Sequence, residues 1–509
     1  MRGTRFNPDK GCLQETRLKF LNAIADWVHD PSSPRALLLV GAAGTGKSSI
    51  AHETAKRFHS VGSLTTSYFF TRMTSHEPYK FFTTLARHLC VRYPAFKAAL
   101  SVIIRNKPDL VAATDYTTLF ESLIVEPFKD LQVPGPVLIV IDALDESEDA
   151  NRRGPGTFHG FLGRHIHQSP SCFRILMTTR PEPNIMDAFP SSPYLRHMFM
   201  DDPNLADAVD HDINTYMQME LSGTGLGDEV LRQLVLKAGG LFVWATVVCN
   251  YIAYPPPGLD PQYCVEMVLH PTDENGSTLD ALYMTILERF DMEDPHVSNT
   301  FRSVMGQVLG VFEPLSVTAL NIMRQCSPDV SEGADVSTIV ERMGSLLSNT
   351  SPASEFPLLP FHISFIDFLT NPKRSGKFYI NLDAAHSQLA SAAVQTMNKI
   401  LRFNMCDLET SYCLNSEVPD LDERIAKHIH PALVYSCRYW GKHLAYASKS
   451  EALFNSLETF MKEKLLFWLE VLSVKQEVSS ASTALLMLRE WLGRIRDQLE
   501  VSVSVTSFP

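Results

Sequence analysis

Ala36 to Val40 and Val137 to Ile141 are unbroken apolar runs, and Phe173 to Met177 is apolar but for Arg174. Runs of this kind mark strands buried on both faces, because a strand with one wet face alternates apolar and polar residues. Shorter segments at Ser67 to Phe70 and His197 to Met200 read as further strands. Between them the apolar positions recur at helical spacing, as in Ser48 to Phe58. In residues 13–28, Leu13, Phe20, Leu21, Ile24 and Trp27 share a helical face. Asp30-Pro31-Ser-Ser-Pro34 then breaks this lead-in helix. Strands alternating with helices predict a parallel α/β sheet over about residues 35 to 200.

Beyond residue 201 the period changes to that of helices, at 205–219, 229–238 and 241–254, and a proline-rich break follows at 255–258. Helices are expected again at Thr278 to Phe290 and Thr300 to Val311. Leu346-Leu347, a Ser/Asn/Pro-rich turn and Phe356 to Phe361 then read as a two-strand wing. From Asp383 onward the pattern is helix after helix, with apolar faces at Leu389, Val394, Met397 and Leu401 and again at Leu485, Leu488 and Trp491. No repeat of fixed period is present.

Composition narrows the function classes. A length of 509 residues predicts two to four compact units, and 45% hydrophobic with 20% charged residues is an ordinary globular balance. A net charge of -12 argues against coating nucleic acid, which needs an electropositive face. Nine cysteines without a CxxC pair read as reduced, mostly buried thiols of a cytoplasmic protein. The longest apolar stretch, Leu241 to Tyr254, is interrupted by Thr246 and Asn250 and is too short to span a membrane, and the N-terminus lacks the apolar core of a signal peptide. Neither nucleic acid nor membrane is an expected partner.

The chemistry lies at the strand ends. Gly41-Ala42-Ala43-Gly44-Thr45-Gly46-Lys47-Ser48, with Ser49 next, fits GxxxxGK[ST] between a strand and a helix. Glycines let backbone amides turn inward around phosphate oxygens at a helix N-terminus, where the dipole favours anions. Lys47 then reaches the β- and γ-phosphates and Ser48 ligates Mg²⁺. The strand Val137 to Ile141 ends in Asp142, placed to hold the metal's water shell. Asp145 and Glu146 follow, and either can orient or deprotonate an attacking water; the sequence does not choose between them. A third strand ends in Thr178-Thr179-Arg180-Pro181. Ligands sit at the carboxyl ends of parallel strands, so Thr179 and Arg180 are expected to face the γ-phosphate, although a surface role for Arg180 is the plainer alternative.

Together, GAAGTGKS, VLIVIDALDES and ILMTTRPEP resemble the NACHT subgroup of signal-transducing P-loop ATPases, the STAND class. The resemblance is to the form abundant in mushroom-forming fungi, similar to the nephrocystin-3-like N-terminal module. Gly11 to Arg17, Leu282-Tyr283 with Ile286-Leu287, His362 to Leu369 and Leu414 to Leu444 extend it over roughly residues 11 to 445. It implies a lead-in helix at 1–34, a NACHT P-loop nucleotide-binding domain at 35–200, a small helical domain at 201–272, a winged-helix domain at 273–372 and a C-terminal helical region at 373–509. His362 matches the winged-helix histidine that contacts the diphosphate in related proteins; on physical grounds alone a lone His between Phe361 and Ile363 is as readily a core residue. Many relatives carry a Gly-Leu-Pro turn whose proline packs on the base, and here the stretch reads Gly240-Leu241-Phe242-Val243. ATP and GTP both remain open. Relatives also commonly carry an N-terminal effector domain and a C-terminal repeat sensor. Their lack here is expected to reflect either a truncated gene or a short form working with partners.

Weaker groupings have plainer readings. His428, His430, Cys437 and His443 fit no zinc spacing and are expected to take ordinary core and surface roles. Met397, Met405 and Phe467-Trp468 are expected to be packing. The sequence thus predicts an α/β P-loop NTPase fold followed by mostly helical domains. Its expected function is an NLR-like signalling switch in innate immunity that binds ATP or GTP with Mg²⁺, hydrolyses it slowly, and self-associates or meets other signalling proteins. The competing expectation is a helical adaptor or decoy whose nucleotide is only structural.

Overall fold

A computed structural model describes residues 6–505 except 8–9, 63, 71–77, 112, 130, 132, 134, 148–153, 155, 257, 272–276, 328–334, 353, 411 and 449. The chain divides into two compact units, Met1–Ala253 and Tyr254–Pro509. The first holds one parallel sheet of β1 (Ala36–Val40), β2 (Leu64–Phe69), β3 (Val137–Asp142), β4 (Phe173–Thr179) and β5 (Leu195–Phe199), in the order β2-β3-β4-β1-β5. The three inner strands are buried at every residue, and they are apolar apart from Asp142 at the end of β3 and Arg174, Thr178 and Thr179 in β4. The two edge strands begin earlier than expected, at Leu64 rather than Ser67 and at Leu195 rather than His197. An edge strand keeps polar residues, so an apolar run marks it incompletely. Thr66, for instance, is buried in β2 with its hydroxyl 2.6 Å from His88.

One side of the sheet is sealed by rings. Phe81, Phe82, Phe120, Phe158 and Phe161 meet largely edge to face at centroid separations of 5.3 to 5.9 Å, a geometry favoured by the aromatic quadrupole. The lead-in helix runs from Leu18 to His29 and starts five residues later than its apolar spacing suggests. The cause is a left-handed turn, with φ of 69° at Glu15 and 60° at Arg17. Helices Pro203–Glu220, Asp228–Ala238 and Phe242–Ala253 complete this unit. The last ends ahead of the proline run at 255–258, of which residue 257 lies outside the described residues. No helix among the described residues is long and apolar enough to cross a membrane.

The second unit is helical apart from β6 (Leu347–Ser348) and β7 (Leu359–Pro360), an antiparallel pair where the wing is expected. Each strand is only two residues long. Pro357 and Pro360 bring no amide to the ladder, which stops it growing. Helices Leu382–Ile400 and Pro431–Leu444 pack along each other, and a directed hydrogen-bond chain joins them. The Phe312 amide donates to the Tyr435 hydroxyl (3.1 Å), Tyr435 lies 2.7 Å from His443 Nε2, and His443 Nδ1 lies 3.0 Å from His386 Nδ1. With its oxygen taking the amide proton, Tyr435 donates to Nε2, so His443 keeps its proton on Nδ1 and passes it toward His386. Burial holds both histidines below their ordinary pKa. His428 pairs with Asp407 at 3.4 Å and His430 accepts the Ala432 amide, so the residues weighed for zinc have separate partners.

Close packing predicts one sensitive position. Gly163, on helix Phe158–His165, faces helix Pro183–Ala188, and a Cβ there would sit 1.9 Å from the Ala188 carbonyl oxygen. Gly163→Ala is expected to lower stability by about 1–3 kcal/mol, the usual cost of overpacking. A urea titration monitored by circular dichroism checks this, and an unchanged midpoint would contradict it.

Candidate functional site

β1 ends at Val40 beside Thr179 of β4, and the loop that follows turns over the carboxyl edge of the sheet. The loop is pinned at its start. The Gly41 amide donates to the Thr179 carbonyl at 3.2 Å, and a Cβ on Gly41 would meet Met200 Cγ at 2.6 Å, so only glycine fits. Gly44 and Gly46 take φ of 82° and 93°, the left-handed region that turns the intervening amides to one side. The helix Lys47–Ser60 begins directly after Gly46, and no side chain caps it. The Lys47 ammonium reaches back to donate to the Gly41 and Ala42 carbonyls at 2.7 and 2.8 Å. Thr45 closes the same turn by donating to the Ala42 carbonyl (3.0 Å). Ser48 is exposed at the head of the helix and Ser49 is half-buried behind it.

The acids gather against this loop. Asp142, the last residue of β3, is buried and accepts from the Thr178 hydroxyl at 2.6 Å. Burial pushes its carboxyl pKa up, opposed by hydrogen bonds from Thr178 and Ser48 and by the charge of Lys47. Ala143 then adopts φ 56° and ψ 55°, its amide held by the Thr178 hydroxyl at 2.9 Å, and the chain turns through a short 3₁₀ helix, Leu144–Glu146. That turn delivers Asp145 to the end of β4. Its carboxylate takes the Arg180 amide at 3.2 Å and Arg180 Nε at 3.1 Å, while Glu146 lies 4.0 Å from Arg180 Nη2. Arg180 is therefore half-buried against these acids rather than a surface charge. Thr179 differs from expectation: it is fully buried with its hydroxyl on the Arg180 carbonyl, and Thr178 is the threonine that touches the acids. Burial, with Arg180 adding to it, brings the Lys47 pKa down to about 8 against the pull of Asp145, Asp142 and Glu146.

One residue of this site was not foreseen. Arg17 is 3% exposed, and its Nη2 donates to the Thr45 carbonyl at 2.6 Å from outside the loop. Its guanidinium lies 4.4 Å from the centroid of Phe242, and its amide donates to Asp212 at 3.0 Å. The Val243 amide donates to the Gly44 carbonyl at 3.1 Å. Two outward-facing carbonyls of the loop are thus held by the lead-in segment and by the Gly240–Val243 stretch. The sequence signal was the buried-helix spacing next to a lone arginine at residue 17, a pattern that surface arginines share.

His362, in the second unit, caps the helix Ile363–Leu369. Its Nδ1 accepts the Ser364 amide at 3.1 Å and lies 2.6 Å from the Ser364 hydroxyl, which is 2.8 Å from the Tyr283 hydroxyl. An acceptor at Nδ1 leaves the neutral ring's proton on Nε2. The ring is half-buried rather than in the core.

Part of this chain is similar to known proteins. Residues 16–180 match the family described as nephrocystin 3, N-terminal. The vegetative incompatibility protein HET-E-1 of Podospora anserina is 25% identical over 292 residues, 52% of this chain and 20% of that protein. The aligned region spans a fifth of that curated relative. Among solved structures, a STAND protein with a tetratricopeptide repeat sensor from Pyrococcus horikoshii aligns with a TM-score of 0.42 at 12% identity, over 96% of this chain and 66% of that one. The ORC2 protein of Aeropyrum pernix, in ADPNP and ADP complexes, aligns with a TM-score of 0.28 at 13% identity, over 66% and 88%. Neither structural likeness bears on the chemistry above. Residues 16–180, which carry the loop, its acids and its arginine at three neighbouring strand ends, thus match the nephrocystin 3, N-terminal family.

Proposed function

We propose that the chain is a nucleotide-dependent switch that binds ATP or GTP with Mg²⁺ and reports the bound nucleotide through its conformation. One observation carries this: Lys47, Asp142, Asp145, Glu146 and Arg180, spread over 134 residues of sequence, converge on one glycine loop at the head of a helix. The loop amides and Lys47 bind the phosphates. Asp142 and Ser48 supply a carboxylate and a hydroxyl, the hard oxygen donors that Mg²⁺ takes, and the metal when bound neutralises phosphate charge. Asp145 or Glu146 orients water, and Arg180 answers to a terminal phosphate. Arg17 positions the loop from outside. The family resemblance assigns His362 to the diphosphate of the closed state.

The domains assigned on this reading are 1–34, 35–200, 201–272, a winged helix at 273–372 and a helical region at 373–509. Exchange of diphosphate for triphosphate opens the switch for assembly with further copies or other signalling proteins in the cytoplasm, as in NLR-like innate immunity. Slow hydrolysis resets it. Such a switch needs only differential affinity of the two nucleotides for the two states. Turnover and particle size that do not differ between triphosphate and diphosphate would favour the helical adaptor or decoy instead.

Lys47→Ala is expected to weaken triphosphate binding at least about 100-fold, the loss of a charge-assisted contact inside a buried site. Isothermal titration calorimetry measures it, and unchanged binding would end the switch reading. Arg17→Ala should weaken binding about tenfold with the far-ultraviolet spectrum intact, since a loop carbonyl and a cation–π contact are lost while Lys47 and the acids remain. Equal affinity would remove Arg17 from the site. The lowered Lys47 pKa sets a pH dependence. With a pKa of about 8, Lys47 is already charged at neutral pH, and above that value binding must take up a proton. Triphosphate affinity should therefore hold up to about pH 8 and then fall by up to about tenfold per pH unit. The free protein, conversely, should gain stability from about pH 8 toward 10.5, where the unfolded chain still holds the proton that the folded loop has released. Titrations across about pH 7 to 9.5 test both expectations, and an affinity that rises or a stability that falls over that range would contradict them.

A further inference from the structure

We propose that Asp145 sets how strongly the site distinguishes a triphosphate from a diphosphate, by competing with the terminal phosphate for the guanidinium of Arg180. The inference rests on the switch reading above and assigns Asp145 a role within it. Asp145 holds Arg180 by two grips of different kinds: Oδ1 accepts the main-chain amide at 3.2 Å, and Oδ2 faces Nε at 3.1 Å. The amide belongs to the chain leaving β4 and cannot swing away. The guanidinium, on a flexible stem, can. The pair is withdrawn from water, with side chains 3% and 17% exposed, so it is screened far less than a surface pair.

The geometry that creates this contact is built in. Ala143 holds a left-handed conformation (φ 56°) that an L-residue with a Cβ adopts at a cost, and the 3₁₀ turn after it is what carries the Asp145 carboxylate to the end of β4. A diphosphate presents nothing beyond its second phosphate to draw the guanidinium away, so the Arg180–Asp145 contact persists. A triphosphate that draws the guanidinium toward its terminal phosphate does so against the hold of Oδ2 on Nε. The cost of that exchange falls on the triphosphate alone. Asp145 is not stranded when Arg180 leaves, because its Oδ1 retains the Arg180 amide and Lys47 lies within its field. Asp145 is therefore a specificity-determining residue that biases the resting protein toward diphosphate.

The test is the ratio of diphosphate to triphosphate Kd, measured on the full chain with Mg²⁺, using ADP or GDP against the corresponding non-hydrolysable triphosphate analogue. Asp145→Asn keeps an acceptor for the Arg180 amide and loses the charge. It should shift the ratio toward triphosphate by roughly tenfold. Adding Arg180→Gln to Asp145→Asn should cancel the shift. Should Asp145→Asn fail to fold, Asp145→Ser, which also lacks the charge, reads the same ratio. An unchanged ratio, or a shift toward diphosphate, in a variant that still binds overturns this inference and leaves the switch reading standing. A wild-type chain that binds neither nucleotide overturns both.

Discussion

Strand β4 is the constraint on which the site depends, because it lies between β3 and β1 and its last residues bond to what leaves each of them. Toward β1, the Thr179 carbonyl accepts the first amide of the glycine loop. Toward β3, the Thr178 hydroxyl serves both the Asp142 carboxylate and the Ala143 amide. Arg180 follows at once and meets Asp145. Side chains on a strand alternate between faces, so a slip of one residue in this pairing would turn Thr178 away from Asp142 and break the contacts together. In the observed register Val40 lies opposite Thr179 and Ile141 opposite Met177.

The charges explain why this arrangement suits an anion that arrives with a cation. Two basic groups, Lys47 and Arg180, face three carboxylates, Asp142, Asp145 and Glu146. Burial already pushes Asp142 toward its neutral form. An anion alone would add to a negative excess in a poorly hydrated space, where uncompensated charge is costly. On the proposed reading, a divalent cation held by Asp142 would offset that excess and leave the loop amides and Lys47 to hold the phosphates.

Much of this was legible in the sequence, for physical reasons that differ from element to element. The inner strands announce themselves because two-sided burial demands mostly apolar residues, and the glycine loop because glycine takes its φ values without strain and a Cβ at Gly41 would meet Met200. Asp142 was legible as the acid ending such a strand. The edge strands were placed two or three residues late, since their polar residues find partners such as His88 that no local pattern reveals. The exchange of roles between Thr178 and Thr179 was hidden because strand direction, not composition, decides which of two adjacent threonines faces the acids. Arg17 escaped for a different reason. Its partners Thr45, Asp212 and Phe242 are 28, 195 and 225 residues away in sequence, and a contact made only by folding leaves no periodic trace.

The tether at Arg17 also changes what counts as a separable piece of this protein. A boundary drawn at the first strand would cut away the guanidinium that holds the Thr45 carbonyl, and one drawn after β5 would remove the Val243 amide from Gly44. Either fragment would keep every residue of the glycine motif and lose the outer wall of the loop. The smallest piece able to present that loop in its folded shape therefore runs from before Arg17 to the end of the helix at Ala253. The motif is eight residues long, but the mould that shapes it is the whole first unit.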